Sequence, residues 1–326
     1  MNKNIVLVTG AAGYIGSILV RQLLEKGYKV VGFDKLVFGG ESLIGIYNNP
    51  NFKFYKGDIR KEEDLRKLLN IVDSVVHLAA IVGDPACAEQ PEIAESTNWE
   101  GSKLIFDLSN EQKNVKRFIF ASTCSNYGKM DSNKYVNEKS LLNPVSLYAR
   151  LKVKFENYLL NSDTRKDFNP TALRFSTIYG LSPRMRFDLT VNEFIREVTF
   201  NNELVIFGEQ FWRPYCHVED IARSCILVLE SDSKKVDHEV FGVGDTKENY
   251  QKKMIADEIL KIVPDARIKY IQKDEDPRDY RVDFGKIKTE LGFSITKKVS
   301  DGLNEIYRIL KDGILMNPYS EKYSNI

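Results

Sequence analysis

The sequence predicts an α/β fold, a doubly wound parallel sheet with a smaller C-terminal lobe. Three observations predict it. An apolar run, Ile5-Val6-Leu7-Val8, leads into a turn with glycines at positions 10, 13 and 16, and a helical pattern leads out. Apolar runs of strand length then alternate with helical patterns from residue 4 to residue 123. Beyond residue 178 the alternation gives way to shorter elements that hold most of the remaining Arg, Pro and aromatic residues. The 326 residues, 43% of them hydrophobic, suffice for one large domain with a smaller partner.

The helix after the glycine turn is read from Ile15, Ile18, Leu19 and Leu23, spaced i, i+3, i+4 and i+8, with Gly27 placed to stop it. In such a strand–turn–helix, Gly10 permits the tight turn. Gly13 lets the backbone approach a pyrophosphate, whose charge meets the free N–H groups of the helix start, and Gly16 lets the helix lie close on the strand. The spacing is Gly-x-x-Gly-x-x-Gly, not Gly-x-Gly-x-x-Gly. Lys29–Asp34 reads as the second strand and ends in a carboxylate about 20 residues after the turn, where an acid accepts hydrogen bonds from ribose hydroxyls and repels a 2′-phosphate. This favours NAD over NADP, with Lys35 pulling the other way.

Phe52 to Tyr55 form a third strand. After it, Asp58 either bonds an adenine amino group while Ile59 packs on the ring, or caps the following helix. Ser74–Ala80 is a wholly apolar fourth strand. Small residues at its end let the cofactor backbone pass, and His77 reads as a packed strand histidine. Asn98 to Glu111 reads as a helix, and Arg117–Thr123 as a fifth strand ending in hydroxyls. Asn143-Pro144 has the form of a helix start, which sets Tyr148 and Lys152 four apart on one face. Pro170–Phe175 is a further strand. The expected partition is a nucleotide-binding domain of residues 1–177 with about 240–263, and a substrate-binding lobe of 178–239 and 264–326.

Tyr-x-x-x-Lys occurs twice, at Tyr135/Lys139 and Tyr148/Lys152. The first lies in a polar, loop-like stretch. The second follows a helix start, 25 residues after Thr123 at a strand end. Oxidising a secondary alcohol needs a base for the hydroxyl proton while hydride leaves. A free tyrosine, with a pKa of about 10, is a poor one. A lysine ammonium one turn away, with a positive nicotinamide ring, favours the phenolate. Lys152 also suits a cofactor ribose, and Thr123 suits the reacting oxygen.

Together these residues, with His77-Leu78-Ala79-Ala80, resemble the extended short-chain dehydrogenase/reductases, and within them the NAD-dependent epimerase/dehydratase family acting on nucleotide sugars. The likeness covers nearly the whole chain. It implies a Rossmann sheet with NAD on Gly10, Gly13, Tyr14, Ile15, Gly16 and Asp34. It adds Asp58, Ile59, Leu78, Ala79, Ala80, Asn98 and Lys152 to that site. Tyr148, Lys152 and Thr123 are implied as the catalytic set. Trp212-Arg213-Pro214-Tyr215-Cys216-His217-Val218-Glu219-Asp220 is similar to the family's Arg-x-Tyr-x-His-Val-x-Asp segment and implies Arg213 on the substrate diphosphate. Pro277-Arg278-Asp279-Tyr280 implies a second such arginine, Arg278. Leu181 to Asn192 resembles a branch with nucleotide-sugar 4-epimerases and nucleotide-heptose C4 dehydrogenases, which implies Arg184, Arg186 and Asn192 near the substrate.

Two departures matter. The 4,6-dehydratases of this family carry Asp-Glu directly after the catalytic Thr, where this chain has Cys124 and Ser125, so 4,6-dehydratase activity is not expected. Thr177 stands where the family has Asn. The expected function is NAD-dependent hydride movement at C4 of a nucleotide-diphosphate sugar, as a 4-epimerase or C4 dehydrogenase. A nucleotide-sugar 4-ketoreductase, a reductase of a non-sugar alcohol and a non-catalytic NAD-binding module are the other readings. A net charge of +1 points to no nucleic-acid or membrane surface. Four scattered cysteines with no paired spacing point to no metal site and to a reducing cytosol. No signal peptide or spanning segment is read, so a cytoplasmic location is expected. The resemblance implies a homodimer pairing helices 98–111 and 146–161, with Leu151, Phe155 and Leu159 serving either that interface or the core.

Overall fold

The first strand, β1 (Ile5–Thr9), is apolar on both faces, and Val6, Leu7 and Val8 are fully buried. A strand of this kind belongs inside a sheet covered on both sides. The computed structural model, which describes residues 5–131, 134–273, 276 and 278–325, places it there. Met1-Asn2-Lys3-Asn4 and Pro277 lie outside the described residues.

On one side β1 pairs with β2 (Lys29–Asp34), which pairs with β3 (Phe52–Lys56). On the other it pairs with β4 (Ser74–His77), followed by β5 (Arg117–Thr123), β6 (Asn169–Phe175) and β7 (Glu239–Val243). All seven strands are parallel, so the chain winds outward in both directions from β1, and the switch point lies between β1 and β4. Ligands of such sheets bind at the carboxyl ends of the strands at that point.

Alternate residues of β1 face opposite layers. Val6 and Val8 pack with Leu19, Val20 and Leu23 of α1 (Gly16–Glu25). Leu7 packs with Leu65 of α2 (Glu62–Leu69), Ile105 and Phe106 of α3 (Ser102–Glu111), and Phe155 and Leu159 of α4 (Leu147–Asn161). The second lobe has its own core. It joins Val191 and Ile195 of α5 (Thr190–Asn201) to Ile255 and Ile259 of Lys252–Ile262 and to Leu303 and Ile306 of Val299–Lys311. Among the described residues no helix is long and apolar enough to cross a membrane, and no group of three His, Cys, Asp or Glu could hold a metal.

The structure departs from the sequence reading at two helix starts. α4 begins at Leu147, not at Asn143-Pro144. Ser146 supplies the extended cap residue, its Oγ accepting from Ala149 N–H at 3.2 Å, while Asn143 N–H donates to Asn126 O in the loop. The helix read from Asn98 starts as a wider π turn, Ser96–Gly101. Leu151, Phe155 and Leu159 are all within 2% of full burial, so their stripe belongs to the core. The helix Val218–Glu230 lies on the main sheet, with Ile221, Ala222 and Cys225 in the cluster of Val6 and Val8. Residues 252–262 pack instead into the second lobe, although β7 does rejoin the sheet. An amphipathic pattern reveals a buried face but not which layer buries it.

Candidate active site

The glycine turn brings three backbones together. Gly10 has φ of +73° and donates to Phe33 O at 2.9 Å. A Cβ on Gly16 would lie 2.0 Å from Gly10 O, and one on Gly10 2.9 Å from Ala79 N. No described side chain caps α1. Its first N–H groups therefore suit a pyrophosphate, and the cradle fits a dinucleotide. Asp34 closes the end of β2. Its carboxylate accepts from Ala12 N–H at 3.0 Å and Leu36 N–H at 2.8 Å, and burial pushes its pKa up. Lys35 is turned toward Asp58, 3.1 Å away.

Asp58 is also held by Arg60, whose guanidinium keeps the carboxyl well below the usual range. Ile59 is buried, beneath Gly101. Leu78, Ala79 and Ala80 are half-buried along the expected path, with Leu78 and Ala79 N–H donating to Thr9 Oγ1. Asn98 binds both backbone groups of Ile81 at 2.8 Å and so holds the loop beyond β4 rather than lining the path. His77 lies between Thr9 and Ser102, and burial lowers its pKa to about 3. It is the neutral, packed histidine the sequence suggested.

Thr123 ends β5; its Oγ1 accepts from Ser125 N–H at 3.1 Å, and its side chain stands near enough to Tyr148 to favour ionisation of the phenol. Lys152, one turn on, donates from Nζ to Ala121 O at 2.7 Å and sits 5.8 Å from the Tyr148 ring centre. Burial pushes the Tyr148 phenol well up. Cys87 and Asp84 add to this, and Arg186 and the Thr123 side chain oppose it. Burial also lowers Lys152 to about 8. In the protein alone Tyr148 therefore keeps its proton at neutral pH, because burial outweighs the nearby positive charge. Tyr135, of the other Tyr-x-x-x-Lys, is 48% exposed.

The arginines of the second lobe are each held by neighbouring groups. Arg213 pairs with Asp276 at 2.8 Å and lies over Tyr280, while Arg278 pairs with Asp84 at 3.0 Å. Thr177 is half-buried at the start of a short strand, Thr177–Tyr179. Arg186 is clamped by both oxygens of Asp188. Arg184 covers the Phe38 ring at 4.4 Å, donates to Ser324 O and stands within electrostatic reach of Asp34. Asn192, expected near the sugar, is fully buried. Its amide nitrogen donates to Tyr14 Oη and Arg186 O, and its oxygen accepts from Gly180 N–H. Tyr14 in turn donates to Gly180 O at 2.6 Å. These two residues bolt the 180–192 segment of the second lobe onto the glycine turn.

The model for the NAD dependent epimerase/dehydratase family matches residues 6–244. The chain belongs to that family. NAD is its cofactor, as the family's dependence states. Among this family the chain is 29% identical to a UDP-glucose 4-epimerase of Lactobacillus helveticus, over 88% of this chain and 91% of that one. The crystal structure of a UDP-glucuronic acid 4-epimerase from Bacillus cereus, in complex with UDP-glucuronic acid and NAD, superposes with a TM-score of 0.83 at 30% identity, covering 94% of this chain and 99% of that one. A dTDP-glucose 4,6-dehydratase from Streptomyces venezuelae, with NAD bound, reaches 0.84 at 25% identity, covering 97% and 100%.

One group in this epimerase/dehydratase chain escaped the sequence reading. Glu156 is fully buried, eight residues after Tyr148 and four after Lys152 on the same helix. Its carboxylate receives Arg174 of β6 through Nε and Nη2, Ser122 of β5 and Asn126. It thus ties α4 to the strand that carries Thr123. The i+8 spacing from Tyr148 was its only sequence signal.

Proposed function

We propose that this protein moves hydride at C4 of a nucleoside-diphosphate sugar, as a 4-epimerase or C4 dehydrogenase, with Tyr148 as the acid/base. The meeting of Tyr148, Lys152 and Thr123 at the carboxyl end of β5, with Arg278 paired to Asp84, whose charge reaches Tyr148, carries this reading. Bound NAD supplies the hydride acceptor and a positively charged ring. Thr123 orients the sugar oxygen through its hydroxyl. Tyr148 takes the hydroxyl proton when the sugar is oxidised and returns it when the keto sugar is reduced. Lys152 is the chain's own positive charge against the burial that holds the phenol protonated. Arg213 and Arg278 offer forked donors to the two phosphates.

Return of hydride to the opposite sugar face makes an epimerase, and release of the keto sugar makes a dehydrogenase. Cys124, 1% exposed and with its thiol pushed up by burial, donates to Arg174 O. It cannot serve as an acid or base in water elimination, which supports the reading against a 4,6-dehydratase. We also infer a homodimer through the outer faces of α3 and α4, where Lys103, Asp107 and Tyr158 form one polar cluster.

The test is native mass spectrometry of the purified protein, then a thermal-shift screen of UDP-, GDP-, CDP- and dTDP-sugars. Retained NAD or NADH, one class of nucleotide sugar raising the melting point, and a C4-inverted or C4-keto product are expected. A 4-keto-6-deoxy product overturns the exclusion of dehydration, and no response to any nucleotide sugar overturns the reading.

A further inference from the structure

Asp84 has no place in the chemistry above, yet it stands inside it. It opens the short helix Asp84–Glu89 beyond β4, after Gly83 turns the chain with φ of +101°. Cys87 of that helix packs in one apolar cluster with Leu147, Tyr148 and Leu151 of α4. Asp84 is thereby held close enough to Tyr148 for its charge to act on the phenol. Its Oδ2 pairs with Arg278 Nη1 at 3.0 Å, so the pair spans from the NAD-binding sheet to the second lobe.

The pair is incomplete. Among the described residues, Asp84 Oδ1 and Arg278 Nε are buried atoms with no hydrogen-bond partner. A buried polar atom left unpaired is costly, so both partners stand to gain from a ligand that supplies what each lacks. A diphosphate offers Arg278 a doubly charged, forked acceptor. Once Arg278 turns to it, the Asp84 carboxylate is left beside Tyr148 and needs a donor.

We propose that Asp84 is a specificity-determining residue that exchanges Arg278 for a hydroxyl of the substrate sugar. On this assignment, which rests on the nucleotide-sugar reading above, the site takes neutral sugars and rejects those with a carboxylate of their own near C4. Two carboxylates at close range repel each other. Arg186, the cation whose charge reaches Tyr148, is already paired with both oxygens of Asp188 and does not offset this. Lys152 is engaged at Ala121 O.

The experiment compares UDP-glucose with UDP-glucuronate, and GDP-mannose with GDP-mannuronate, by titration calorimetry on the NAD-loaded protein. Wild type, Asp84→Asn and Asp84→Ala are measured side by side. Wild type is expected to favour the neutral member of the pair it binds by at least about tenfold. Asp84→Asn keeps a hydrogen-bond acceptor without the charge and brings the two sugars within about threefold. Asp84→Ala loses neutral-sugar affinity as well, while UDP or GDP alone binds no more weakly than to wild type because Arg278 is free. Equal wild-type binding of both sugars, or wild-type discrimination in Asp84→Asn, overturns the assignment and leaves the nucleotide-sugar reading standing. If neither pair binds, the CDP- and dTDP-linked glucose and glucuronate pairs are titrated in the same way, and binding of none of the four removes that reading and the assignment with it.

Discussion

Tyr148 illustrates how far a single residue can be judged from its neighbours. Tyr148 and Lys152 are one helical turn apart, so their meeting was legible in the sequence. The protonation of Tyr148 was not, because that depends on burial and on Asp84, Cys87 and Arg186 arriving from distant segments. Substituting Tyr148 by Phe removes the proton acceptor and leaves the packing. Single-turnover hydride transfer, followed by NADH absorbance, is expected to fall by about 10²–10⁴-fold with nucleotide-sugar binding retained. Unchanged transfer would assign the proton to another group. Asn192 and Arg184 show the opposite limit. Their sequence segment resembled a substrate loop, and in the fold the Asn192 amide bonds Tyr14, Gly180 and Arg186 while the Arg184 guanidinium lies over Phe38. A motif locates a loop, while the direction of each side chain is set by what packs against it.

The elements were legible where burial is symmetric. Strands β2 and β5 run over the residues expected, since a strand covered on both faces is a continuous apolar run bounded by polar residues. The start of α4 was not legible, because Asn143-Pro144 and Ser146 both carry cap chemistry and only the loop hydrogen bond of Asn143 chooses between them. Two substitutions test how these elements are joined. Gly16→Ala places a methyl 2.0 Å from Gly10 O, so the turn must move. NAD affinity by titration calorimetry is expected to drop at least about tenfold, since the α1 N–H groups no longer face the pyrophosphate. Glu156→Gln leaves the Arg174 guanidinium buried beside a neutral amide. Breaking a buried pair from one side costs about 3–5 kcal/mol, which urea unfolding would register. A loss below about 1 kcal/mol would mean that the junction of α4, β5 and β6 does not depend on this charge.

At the scale of the whole molecule, the inferred homodimer has to use polar outer residues, because the apolar stripe of α4 is consumed by the core. Sedimentation at twice 37.4 kDa is the expected result, and a monomer alone would remove the idea. The same use of large side chains in the interior sets an alkaline limit on the fold. Phenols fill the core and the joint between lobes. Tyr14, Tyr148, Tyr127 and Tyr179 are pushed well above 10, and Tyr215 and Tyr280 to about 12, in each case chiefly by burial. A group whose folded pKa is raised binds its proton more tightly in the folded state. Its contribution is fully present below the unfolded pKa, 10.0 here, and is lost as pH rises toward the folded value. Between pH 10 and 12 each such phenol lowers stability by up to about 1.4 kcal/mol per pH unit, and several do so together. Lys152 acts with the opposite sign, since its folded pKa of about 8 makes the folded state bind fewer protons between 8 and 10.5, but it is a single group. Chemical unfolding followed by circular dichroism is therefore expected to show a steep loss of stability above pH 10. Phenolate absorbance from the buried tyrosines should rise only as the fold is lost. Ionisation of all 16 tyrosines near pH 10 without unfolding would contradict the burial that holds the two lobes together.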